Sequence, residues 1–134
     1  MALPNGSGGY QIGDGNNGEP LFFSQVAPLA LTAAATASPA ELVAGLFTFN
    51  GTAGNLTLPT VALLEAAYPS MSEKNDSAFD FFVINIDASG SDAVTVAVGT
   101  GWTLVGAGAV AAASSGHFRC RKTGVGAWTV YRVS

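Results

Sequence analysis

The sequence predicts an all-β protein: an antiparallel β-sandwich or jelly roll with one short helix and an extended N-terminal arm. Three observations point there. Short runs rich in aromatic and β-branched residues recur from residue 21 to the end, separated by Gly, Pro, Asn and Ser. Such side chains fit a pleated surface, and the residues between them suit turns. Only residues 60–67 carry convincing helical spacing. Residues 1–20 hold six glycines, two prolines and three asparagines, so nothing there nucleates a helix. The expected division is an arm over 1–20 and one β domain over 21–134, a size that suits a single core.

The elements follow in order. Residues 21–26 and 29–33 read as short strands broken by Pro28, and residues 34–39 as a small-residue connection. Residues 42–49 read as a stronger strand ended by Asn50 and Gly51. Leu56, Thr57 and Leu58 form a short strand before Pro59. The helix over 60–67 takes Pro59 in its first turn, spaces Val61, Leu64 and Ala67 along one face, and stops before Pro69. Residues 70–77 read as a polar loop.

The chain is organised around residues 79–98. Two strand-like runs flank the turn-forming stretch 87–92, which reads as a hairpin. In the first run Phe79, Phe81 and Val83 point to one face, and Phe82, Ile84 and Ile86 to the other. Both faces are apolar, so cover is expected on both sides, from other strands or from neighbouring copies. Residues 102–105 form a further strand and residues 106–116 a Gly/Ala loop. A last hairpin joins residues 117–123 to 127–133 through Gly124, Val125 and Gly126. The expected total is about seven to nine short strands.

Composition narrows the function. Hydrophobic residues make up 49% of the chain and charged residues only 10%, where roughly 25% charge is ordinary. A chain so poor in charge is expected to bury surface against copies of itself or on a larger assembly. Net charge is −4, and residues 1–73 contain no Lys or Arg. Arg119, Arg121, Lys122 and Arg132 cluster near the C-terminus. An acidic total with so small a basic cluster excludes a nucleic-acid footprint. Residues 21–40 carry no charge, but Pro28, Pro39 and many Ala, Thr and Ser residues break any membrane span. Cys120 is the single cysteine, so no intrachain disulfide forms; it is expected to be buried beside Phe118. No secretory leader is visible.

No catalytic constellation emerges. Residues 13–18 match G-x-G-x-x-G, but Glu19 and Pro20 follow where a phosphate-binding helix is needed. His117, the single histidine, alternates with Arg119 and Arg121 and is expected on an outer face. No local pattern suggests a carboxylate to hold it as a nucleophile's base, and it lacks the neighbours of a zinc site. Asp76 and Asp80, or Asp87 and Asp92, are the carboxylate pairs available for acid–base work. The second pair frames a turn and lacks EF-hand spacing for calcium. Sequons at Asn5, Asn50, Asn55 and Asn75 carry little weight without a secretion signal. The expectation is a protein without enzymatic activity, cofactor or metal.

Several blocks resemble a known group. They are residues 8–16 (Gly8, Gly9, Tyr10, Gln11, Ile12, Gly13, Asp14, Gly15, Asn16), 56–59, 77–85 and 94–106, and most specifically 115–124 with 127–133. Together they are similar to capsid decoration, or cement, proteins of tailed phages, including cyanophages. The resemblance runs from about residue 8 to the end, with a weak middle over about 27–45. It implies a jelly-roll protomer, a homotrimer, on the outer surface of the virion head. There it would bridge major capsid subunits and hold the expanded shell against DNA pressure. In that role the arm residues Gly8, Gly9, Tyr10, Gln11, Ile12 and Asp14 would bind a capsid groove by backbone pairing and an aromatic anchor. Phe22, Phe23, Phe47, Phe49, Arg119 and Arg121 are the expected oligomer-interface residues. The alternative is a trimeric tail, fibre or collar protein with a carbohydrate-binding surface built on Trp102, Trp128, Tyr131 and His117.

Overall fold

A computed structural model describes residues 24–134. The strands are β1 (Leu29–Leu31), β2 (Ala35–Thr36), β3 (Leu46–Phe49), β4 (Gly54–Thr57), β5 (Ala78–Asn85), β6 (Val94–Ala97), β7 (Trp102–Val105), β8 (Ala109–Val110), β9 (Ser114–Gly124) and β10 (Ala127–Arg132). The helices are α1 (Pro39–Ala44), α2 (Val61–Ala67) and α3 (Pro69–Ser72). The described chain is thus mostly β. It has three short helices where one was expected, and residues 24–26, expected to close the first strand, are not extended in a sheet.

The extra helices have local causes. Ser38 caps α1, accepting from the Glu41 N–H at 3.2 Å, while the Glu41 carboxylate accepts from the Ser38 N–H at 2.8 Å. Pro39 opens the helix and Gly45 closes it in the left-handed region at φ 85°. This capping box outweighs the strand-like look of Leu42 and Val43. The strand expected over 42–49 therefore shrinks to β3. Helix α2 lies where expected, with Val61 and Leu64 buried. Its cap is Thr60, and Pro59 stands outside the first turn. Pro69 stops α2 and begins α3, within the expected loop.

Two sheets result. One has the order β1-β3-β5-β9-β10-β7 and the other β2-β4-β6-β8. From β1 to β6 the chain alternates between them, so each returning strand lies parallel to its predecessor: β1 to β3 to β5, and β2 to β4 to β6. Strands β5, β9 and β10 pair antiparallel, β7 joins β10 in parallel, and β8 joins β6 antiparallel. The expected antiparallel layout is corrected to mixed sheets. From β1 to β6 each return to a sheet is a crossover through the other sheet, the kind of connection that parallel neighbours need and a tight hairpin cannot supply.

The hairpin expected over 79–98 is corrected for the same reason. Strand β5 belongs to the six-stranded sheet and β6 to the four-stranded one. The segment between them is a crossing held by side chains. Buried Asn85 donates to the carbonyls of Asp92 (2.8 Å) and Val110 (3.1 Å) and accepts from the Asp87 N–H at 3.1 Å. Its amide is fully used, as burial requires.

One core draws on both sheets. Phe47, Phe49, Phe81, Val83, Phe118, Cys120, Trp128 and Val130 come from the larger sheet, and Leu56, Val94, Val96 and Val110 from the smaller. Leu42, Val61 and Leu64 join from the helices. Phe81 stacks on Phe118 with ring centroids 5.0 Å apart and meets Phe47 edge-on at 6.0 Å. Trp102 and Trp128 pack at 5.9 Å.

Candidate interaction surface

The outer face of the six-stranded sheet is built by alternation. On β5 the residues 79, 81, 83 and 85 turn inward, so Asp80, Phe82 and Ile84 turn out. Ile86 continues the row, because its N–H still bonds the Phe49 carbonyl at 2.8 Å. Register sets their neighbours: Leu46 and His117 flank Phe82, and Thr48 and Ser115 flank Ile84. Phe82, Ile84 and Ile86 remain 44%, 37% and 52% exposed. Cover was expected on both faces of this strand. Among the described residues one face is left bare.

A polar border runs beside this stripe. The Asp80 carboxylate receives the Arg119 guanidinium at 2.7 and 2.8 Å and His117 Nε2 at 2.8 Å. The His117 ring stacks on Phe82 with centroids 4.4 Å apart. Arg119 above all holds the Asp80 carboxyl down to about 2; desolvation pushes the other way, and His117 adds a lesser lowering. Arg121 bonds the Tyr131 hydroxyl at 3.0 Å and Asp76 at 2.6 Å. Asp76 and Asp80 therefore belong to separate ion pairs and form no acid–base couple.

The stripe is open at both ends. Ile84, Ile86, Ser114 and Ser115 line a shallow groove of about 330 Å³. At the other end Leu46 joins Val26, Leu29, Ala40, Glu41 and Ala44 around a groove of about 400 Å³.

The expected site residues fall out unevenly. Arg119, Arg121 and His117 lie on the outer face as alternation predicts. Phe47 and Phe49 do not: they are 0% and 1% exposed in the protomer's own core, so they are corrected from interface to core. Gly8, Gly9, Tyr10, Gln11, Ile12, Asp14, Phe22 and Phe23, and the G-x-G-x-x-G stretch, lie outside the described residues. Trp102 and Trp128 turn inward, donating to the Pro59 carbonyl at 2.7 Å and the Glu65 carboxylate at 3.0 Å. They offer no face to a sugar. Cys120 is buried, and burial pushes its thiol well up, away from the reactive thiolate.

Two groups escaped sequence reasoning. Phe82, Ile84 and Ile86 are absent from the expected interface residues, although apolar residues on both faces of one strand already signalled a need for cover. Lys122 was grouped with the surface arginines, but alternation puts it inside at 4% exposure, where its Nζ meets Glu65 on α2 at 2.5 Å. Burial pushes the Glu65 carboxyl up, yet hydrogen bonds from Lys122 and Trp128 bring it below its ordinary value.

The turn after β5 is self-satisfied. Asp87 accepts from the Ser89 hydroxyl and N–H, and Asp92 accepts from the Ala53 N–H at 3.3 Å. Both carboxylates serve the backbone, as expected of turn aspartates. Among the described residues no helix is long and apolar enough to cross a membrane. Comparison with protein-family models, with curated proteins and with solved structures finds no match to this chain.

Proposed function

We propose that this chain is a structural virion protein that binds the outer surface of a tailed-phage capsid. It acts as an oligomer, a trimer by resemblance, and steadies the head by bridging major capsid subunits. The observation that carries the reading is the apolar stripe of Phe82, Ile84 and Ile86, left partly exposed among the described residues on a charge-poor sheet. Such a surface is made to be covered. The described carboxylates support it further. Asp76, Asp80 and Glu65 are spent on ion pairs, and Asp87 and Asp92 on a turn. This is the chemistry of a scaffold. The two sheets around a shared core read as a β-sandwich, and their parallel runs favour a coiled sandwich over the jelly roll that the resemblance implies.

Capsid attachment is assigned to the arm, with Tyr10, Gln11 and Ile12 as its anchors. Several arms on one oligomer add avidity. The test is truncation of residues 1–20, followed by co-sedimentation with heads lacking the protein. The expected result is a folded oligomer of unchanged stoichiometry that stays in the supernatant. Undiminished sedimentation with heads would sink the arm assignment. The carbohydrate-binding alternative loses its two stacking tryptophans to the core, and Tyr131 to a bond with Arg121.

A further inference from the structure

We infer that the outer face of the six-stranded sheet, centred on Phe82, Ile84 and Ile86, is the surface through which one copy of this chain packs on another. The inference rests on the oligomer part of the proposed function and names the surface that makes it.

Three features choose a second copy as the occupant. The first is charge. The Arg and Asp side chains of this face are paired within it, Asp80 with Arg119 and Asp76 with Arg121. The face is therefore neutral, while the whole chain carries −4. Two copies meet here without opposing like charges, whereas a partner selected by charge would find no net sign to read. Of the other described acids, Glu41 lines the groove beside β1, and Asp87 is buried and bonded within its own turn.

The second feature is size. Six strands of these lengths, spaced about 4.8 Å apart with a rise of about 3.3 Å per residue, make roughly 600 Å² of flat sheet. Side-chain relief raises that towards the roughly 800 Å² per partner of a stable interface. The third is anatomy. An apolar centre bordered by Arg, Tyr and His is the composition of an interface core and its rim. Leu46 carries the apolar surface on into the groove beside β1, while along β5 the stripe gives way to the Asp80–Arg119 pair.

The test is light scattering coupled to size exclusion on the full chain, comparing wild type with Ile84→Lys and Leu63→Lys. Leu63 is an exposed apolar residue on α2, away from this face. The expected result is an oligomeric wild type, an unchanged Leu63→Lys, and an Ile84→Lys whose self-association is at least about tenfold weaker. Circular dichroism checks that the variant keeps its fold. Should Ile84→Lys fail to fold, Ile84→Thr keeps β-branching and is expected to shift the mass in the same direction by less.

A wild type that stays monomeric at every concentration would overturn this surface and the oligomer reading together. An oligomeric wild type whose mass is untouched by Ile84→Lys would overturn the surface alone. If that variant also stopped binding heads, the face would belong to the capsid.

Discussion

Asp80 shows how a single residue on the outer face couples packing to solution conditions. It lies opposite Arg119 on β9 and diagonal to His117, so the guanidinium and the imidazole reach one carboxylate. Its carboxyl sits at about 2 in the folded chain, below the ordinary 3.8. A lowered value means that the stabilisation is complete above about 3.8 and is lost as pH falls toward 2. The side chain is partly open to solvent, so the contribution is on the order of 1 kcal/mol. Thermal melts across that acid window are expected to show a shallower pH dependence for Asp80→Asn than for wild type; parallel curves would deny Asp80 this role. Alternation along residues 117–121 made the placement of His117, Arg119 and Cys120 legible in the sequence. Lys122 follows the same alternation, but its partner Glu65 is on a helix that no local pattern ties to β9.

At the scale of elements, helix α1 was legible but overlooked. Ser38, Pro39, Glu41 and Gly45 spell a capped helix, and the apolar pair Leu42 and Val43 masked them. Gly45 has two duties. It takes φ 85°, and an added Cβ would stand 3.0 Å from the Asp80 carbonyl oxygen on β5. Its own carbonyl accepts from the Phe82 N–H at 2.8 Å, so the α1-to-β3 turn is what sets the apolar stripe in register. Gly45→Ala is expected to cost roughly 1–2 kcal/mol from the left-handed backbone alone, read as a lower denaturant midpoint with an unchanged slope. A midpoint equal to wild type would mean that the turn relaxes freely. The strands themselves were mostly legible, because β3, β5, β6, β7 and β10 carry dense β-branched and aromatic runs. Their partners were not. Nearness in sequence suggested that β5 and β6 form a hairpin, whereas pairing is decided by which faces share the core.

For the whole molecule, alternation of the chain between two sheets explains both the parallel pairings and the bare face. Each crossing spends one face of each strand on the common core, and the short helices pack at the core rather than over the outer side of β5. Low charge was the sequence-level trace of that shortage of cover. Where the surface lies became clear only from the register of β5 between β3 and β9. Under the proposed function, this chain would cover a capsid and be covered in turn. The most direct measurement is an icosahedral reconstruction of purified particles with the chain fused to a visible tag. The account expects density for the tag over the whole head, repeating with the shell's symmetry, with Phe82, Ile84 and Ile86 buried against a neighbouring copy. Tag density confined to one vertex or to the tail, with that sheet face open to solvent, would contradict it.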